Sequence, residues 1–148
     1  MTKEVPILMA EDDQEDQLIA KKALRKAKLR NPLYFVNDGE ELLDYLNRKP
    51  PFDDDEAYPF PGLVILDMNM PRKDGRQALM EIRSTPSLSN VPVVILSTSS
   101  EEEEIWRGYN LGANSYICKP VNFEKMVTIM QSIGKYWFTI VEAPDDEN

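Results

Sequence analysis

Short apolar runs alternate along this chain with longer stretches of helical periodicity. Residues 63–66 (LVIL) form an unbroken branched run that ends in Asp67 and is closed by a Pro and a Gly. That is the pattern of a strand buried on both faces. Residues 5–10 (VPILMA) are a second such run and predict a first strand. Asp13 then stands as an N-cap, with Asp16 three residues on in an acidic first turn. Ala20, Ala23, Leu24 and Ala27 recur at helical spacing, which predicts helix one over 13–28, broken at Asn31-Pro32. Leu33–Val36 is strand two. Asp38 with Glu41 resembles a capping box, and Leu42, Leu43 and Leu46 give helix two its apolar face. Residues 50–62 carry four prolines and an acidic run, so a solvated loop is expected there. Asp53, Asp54 and Asp55 lack the Gly and the distal Glu of a calcium loop.

After strand three, Leu63–Asp67, Asp74 with Gln77 caps helix three, whose apolar positions are Ala78, Leu79 and Ile82 and which Pro86 closes. Residues 91–96 are strand four, ending in Ser97-Thr98. Ser99 with Glu102, or Ser100 with Glu103, starts helix four. The acidic run 101–104 suits the dipole of a helix start and is not read as a metal site. Gly112 ends that helix. Ser115–Cys118 is a short strand five, followed by Lys119-Pro120. Asn122 caps helix five, and Met126, Ile129, Met130, Ile133 and Trp137 fall on one face. Residues 143–148 read as an acidic, frayed tail. Five strands alternating with five helices predict a doubly wound α/β domain. Its parallel sheet has the order 2-1-3-4-5, and one domain fills residues 1–148.

Composition narrows the chemistry. The chain has 148 residues, 42% hydrophobic, with a formal net charge of −9. That balance argues against direct nucleic-acid binding and against an anionic membrane surface. There is no 18-residue apolar run and no signal-peptide pattern, so a cytoplasmic location is expected. Cys118 is the lone cysteine, which rules out an internal disulfide. The histidine count is zero, which removes a Ser-His-Asp triad, a Cys-His pair, His-ligated zinc and any phosphohistidine of the chain's own.

The candidate chemistry stands at the C-terminal strand ends, where open parallel sheets bind ligands. Glu11 and Asp12 follow strand one, Asp67 ends strand three, Ser97 and Thr98 end strand four, and Lys119 follows strand five. Three close carboxylates repel, and a hard divalent cation relieves this. Mg2+ pairs with one or two carboxylates plus phosphate oxygens. Asn69 can add its backbone carbonyl. With Mg2+ and Lys119 the site reaches neutrality and can receive a phosphoryl group of about two negative charges. Asp67 can then act as a nucleophile that forms an acyl phosphate. Lys119 and the cation stabilise the transferred oxygens, and Ser97 donates to one of them.

These residues resemble the receiver domain of bacterial two-component signalling, the CheY-like response regulators. The carriers are Glu11-Asp12, the block DMNMPRKDG opening at Asp67, Ser97 at 30 residues beyond it, Tyr116, and Lys119-Pro120 at 52 residues beyond it. The resemblance covers nearly the whole chain and implies a flavodoxin-like fold. It implies that Asp67 accepts phosphate from the phosphohistidine of a sensor histidine kinase. It implies Mg2+ held by Glu11, Asp12, Asp67 and the Asn69 carbonyl. Ser97 and Tyr116 would relay the phosphorylated state to the surface of helix four, strand five and helix five. The product is a signalling phosphoacceptor rather than an enzyme with a separate substrate. It either acts through its surface or passes phosphate to a second histidine protein.

The Pro-rich loop before strand three, the Ser97-Thr98-Ser99 run and the segment YWFTIVEAP are similar to stand-alone receivers paired with bacterial and cyanobacterial phytochrome kinases, which often form homodimers. Two positions depart from the commonest pattern. Thr98 replaces a small residue, which narrows access to the acyl phosphate, and Glu11 replaces a frequent Asp. A phosphohydrolase of the haloacid dehalogenase type would need an acid two residues after the nucleophile. Asn69 stands there, and an amide cannot donate and retrieve a proton. A pseudo-receiver scaffold would tolerate loss of acceptor, metal ligands or lysine, and none is lost.

Overall fold

The computed structural model describes residues 4–68, 70, 74–98, 107 and 109–140, with the side chains of 138–140 excepted. Five parallel strands form one sheet: β1 (Ile7–Ala10), β2 (Leu33–Val36), β3 (Leu63–Asp67), β4 (Val93–Ser97) and β5 (Ser115–Cys118), in the order β2-β1-β3-β4-β5. The helices are α1 (Gln14–Lys26), α2 (Gly39–Leu46), α3 (Gly75–Ser84) and α4 (Phe123–Ile133), the last being helix five of the sequence pattern. A 3-10 turn, Pro86–Leu88, follows α3, and a π-helical segment, Gly134–Ile140, continues α4. Most of the expected helix four falls on residues 99–106, outside the described residues; Arg107, Tyr109 and Asn110 are helical.

Every residue of β1, β3 and β4 is buried. Side chains alternate between two cores, as strand geometry requires. Ile7, Met9, Leu63, Ile65, Val94 and Leu96 pack with Ala20, Ala23 and Leu24 of α1 and Met126, Met130 and Ile133 of α4. Leu8, Ala10, Val64, Leu66, Val93 and Ile95 pack with Leu42, Leu43 and Leu46 of α2 and Ala78, Leu79 and Ile82 of α3. Apolar on both faces, these strands would tolerate a slip in register as far as their middles are concerned. Their polar ends do not, because a slip would carry Asp67 or Ser97 into the apolar layers unpaired, at a cost of several kcal/mol. The observed register sets Ala10 against Leu66 and Asp67 against Leu96.

Local chemistry moved several boundaries. β1 begins at Ile7 and not at residue 5, since Pro6 has no N–H; its carbonyl accepts from Gly62 N at 2.9 Å. α1 stops at Lys26, because Lys28 turns the chain with φ at 65°. β4 starts two residues late, after Pro92, and runs on to include Ser97. At α2 the Asp38 carboxylate accepts from Glu41 N at 2.8 Å as expected, and Glu41 Oε1 also accepts from Asn37 N at 2.8 Å.

The loop over residues 50–62 is more than solvated. Phe52 and Tyr58 stack with Tyr45 at ring separations of 5.1 and 5.8 Å. The Tyr45 hydroxyl donates to the Pro59 carbonyl at 2.8 Å. Arg48 reaches Asp55 and the Tyr58 carbonyl, both at 2.6 Å. Aromatic residues spread through a proline-rich segment carry no period that would announce this packing.

Candidate functional site

Two strands, β1 and β3, deliver the acidic residues to one edge. Asp67 is the last residue of β3 and only 3% exposed, Glu11 follows β1 and is 1% exposed, and Asp12 next to it is exposed. Carboxylate oxygens of Glu11, Asp12 and Asp67 lie within 4.8 Å of one another. α3 is held tight against the same edge by Gly75. A Cβ there would stand 2.7 Å from Met68 Cα and 2.9 Å from the Asp67 carbonyl oxygen. Lys119 arrives from the far side. Its N–H donates to the Ser97 carbonyl at 2.6 Å, extending the β4–β5 ladder by one bond, and its side chain then crosses to the acids. Nζ donates to Glu11 Oε1 at 2.9 Å, to Asp16 Oδ2 at 3.0 Å and to Asp67 Oδ2 at 3.4 Å.

The charges respond to this crowding. Burial pushes the Glu11 carboxyl up to about 7, and the neighbouring Asp67 charge adds to this, against hydrogen bonds from Lys119 and from Asp13 N. Burial alone would lower Lys119. Its hydrogen bonds to Glu11 and Asp16 and the charge of Asp67 outweigh that, so the ammonium is held more firmly than usual. The pair therefore keeps its lysine proton, and the strain falls on the carboxyl group. Oxygen-only donors, close-set and short of positive charge, fit a hard divalent cation.

The residues singled out from the sequence mostly converge. Glu11, Asp12, Asp67 and Lys119 form one cluster. Ser97 is buried at the adjacent strand end, with Thr98 exposed beyond it. Tyr116 lies on β5, opposite Ile95 of β4, half-buried against the core shared with α2 and α3, and its N–H donates to the Tyr109 hydroxyl at 3.3 Å. Asn69 lies outside the described residues. Asp16 was missed: it reads as an ordinary acidic first-turn residue, and no pattern in the sequence ties it to Lys119. A cleft of about 180 Å³ opens beside the lysine, lined by Glu11, Asp16, Ile19, Lys119, Pro120 and Phe123 among others. A wider hollow of about 540 Å³ lies between α2 and Pro50–Phe52 and is lined by none of Glu11, Asp12, Asp67, Ser97, Tyr116 and Lys119.

Several known proteins are similar to this chain over nearly its whole length. The family model described as response regulator receiver domain matches residues 7–131. Response regulator Rcp1 of Synechocystis sp. is 33% identical over 138 residues, covering 93% of this chain and 92% of the relative. The crystal structure of the phosphorylated cyanobacterial phytochrome response regulator RcpA is similar at a TM-score of 0.83 and 34% identity, covering 93% of this chain and 96% of that one. Response regulator RPA3017, in red light signalling of R. palustris, is similar at a TM-score of 0.85 and 35% identity over 90% of this chain and 94% of that one. A crystal structure of Rcp1 in its Mn2+-bound form is similar at a TM-score of 0.80 and 32% identity over 92% of this chain and 96% of that one.

Proposed function

The chain belongs to the response regulator receiver domain family, and from that premise we propose that it is a single-domain phosphoacceptor whose Asp67 takes a phosphoryl group from a sensor histidine kinase. The observation that carries this reading is the convergence of Asp67 with Glu11, Asp12 and Lys119 at one sheet edge. An Asp67 oxygen attacks the phosphorus of a phosphohistidine. The new O–P bond forms as the N–P bond breaks, and the imidazole nitrogen keeps the released pair. The sheet positions the carboxylate, and its burial strips water from the nucleophile. The Lys119 ammonium sits where it can turn from the acids to a phosphoryl oxygen. Mg2+, held by Glu11, Asp12, Asp67 and the Asn69 carbonyl, would supply further positive charge to those oxygens; that response regulator Rcp1 has a Mn2+-bound form supports a divalent ion.

The kinase partner is of phytochrome type, a reading supported by the names of the relatives. No helix among the described residues is long and apolar enough to cross a membrane, which fits a cytoplasmic location. The output surface combines β5, α4 and the helix ending at Gly112, and it also serves as a homodimer face. Labelling by acetyl phosphate or a phosphorylated kinase tests the reading. Phosphate should appear on the wild-type protein with Mg2+ or Mn2+ and be lost in Asp67→Asn, in Asp12→Ala and in EDTA. Full labelling of Asp67→Asn would overturn the assignment of the acceptor, and full labelling in EDTA that of the metal.

A further inference from the structure

We infer that Asp16 is a positioning residue for Lys119: in the unphosphorylated protein it shares the ammonium with Glu11 and so keeps it from closing on Asp67. The inference rests on the reading of Asp67 as phosphoacceptor. Asp16 is the third residue of α1, and its N–H donates to the capping Asp13 Oδ1 at 3.1 Å. An acid at this position ordinarily reaches back to the N–H of the cap residue. Here that N–H is already taken, since Asp13 N donates to Glu11 Oε2 at 3.1 Å. The Asp16 carboxylate turns instead to Lys119 Nζ, at 3.0 Å.

An ammonium has three N–H donors, and three carboxylates surround this one. The contacts to Glu11 and Asp16, at 2.9 and 3.0 Å, are good hydrogen bonds, whereas the 3.4 Å contact to Asp67 is at the outer limit. A phosphoryl group on Asp67 needs one of those protons. Asp16 stabilises the resting placement of Lys119 and does nothing for the phosphoryl-bound one, and its own charge opposes an incoming dianion. It also leaves Asp67 more open to a cation, because an ammonium drawn to Asp67 would compete for the same oxygens. Asp16 is about a third exposed, so solvent softens the effect, and a change of about threefold is the expected scale.

A double-mutant cycle separates positioning from simple loss of charge. Mg2+ affinity is measured by calorimetry on the full chain as wild type, Asp16→Asn, Lys119→Met and the double variant, with circular dichroism and melting confirming that each folds. Asp16→Asn should weaken Mg2+ binding about threefold when Lys119 is present and have no effect in the Lys119→Met background. In parallel, at saturating Mg2+, Asp16→Asn should take up phosphoryl from acetyl phosphate about threefold faster than wild type. Equal weakening in both backgrounds, no weakening in either, or no faster uptake would overturn the inference. If wild type and Asp67→Asn label alike, the phosphoacceptor reading itself fails. The calorimetric cycle distinguishes that failure, since it involves no phosphate.

Discussion

Glu11 shows how one residue ties the cation site to pH. Its carboxyl is buried beside Asp67 and pushed up to about 7, burial being the larger cause. Between its unfolded value of 4.5 and about 7, the native protein holds a proton that the unfolded chain has released. Cation-free stability should therefore fall as pH rises through that window. Cation binding runs the other way, since a ligand oxygen must give up its proton first. Mg2+ affinity should rise roughly tenfold between pH 6 and pH 8, from a group titrating at about 7, and flatten above it. Glu11→Gln should bind more weakly and lose the pH step. Calorimetry at several pH values checks this, and a flat profile for wild type would show that Glu11 is not a ligand. Glu11 and Asp67 were visible in the sequence because a carboxylate that ends an apolar run has nowhere else to go. Asp16 was not, because which side a first-turn carboxylate leans to depends on a cap bond made by Glu11.

Two elements are expected to carry the consequences of a change at Asp67. The first is the junction of β3 with α3, where Gly75 lets the helix meet the strand end. A Cβ at Gly75 would press on the Met68 and Asp67 backbone, which cannot rotate away. Gly75→Ala should cost about 1–3 kcal/mol of stability by overpacking and slow phosphorylation by moving the Asp67 carbonyl. Urea unfolding together with labelling by acetyl phosphate reads both, and a stability unchanged within error would contradict the geometry. The second is the β4–β5 pair. Phosphorylation adds about two negative charges near Ser97, and charge-assisted hydrogen bonds are roughly twice as strong as neutral ones. If Ser97 is drawn inward, Tyr116, half-buried in this structure, should turn further in. Moving a population from 1:99 to 99:1 needs about 5.5 kcal/mol, and one or two such bonds plus part of a ring supply several, so the switch should be strong but incomplete. Ser97→Ala should still be labelled at Asp67 yet show a smaller phosphorylation-dependent change in dimer affinity by sedimentation. An undiminished change would mean that the signal leaves by another route.

At the scale of the whole molecule, large apolar side chains stay exposed beside β5 and α4, at Val121, Phe123 and Tyr136, as well as at Leu18, Ile19, Phe60 and Met80 among the described residues. Tyr136 is 57% exposed and Tyr109 49% exposed, while Trp137 between Tyr136 and Phe138 turns into the α1/α4 core. Aromatic side chains are enriched at contact surfaces. The protein should scatter light as a homodimer at micromolar concentration, and Tyr136→Glu should shift it towards monomer. A monomer mass independent of concentration, with and without phosphorylation, would exclude that interface. The sequence alone determined the alternation of strands and helices, the placement of the caps at Asp13, Asp38, Asp74 and Asn122, and the residue types at the strand ends. Each of those is set by neighbours within a few positions, through apolar period, hydrogen bonding to helix N–H groups or the breaking effect of Pro and Gly. Tertiary structure alone decided that Asp16 joins the carboxylates around Lys119, that Phe52 and Tyr58 close over Tyr45, and that Gly75 presses against β3. The first of these joins residues 103 positions apart, and all depend on how close separate segments approach once the sheet has formed, a distance that no local pattern encodes.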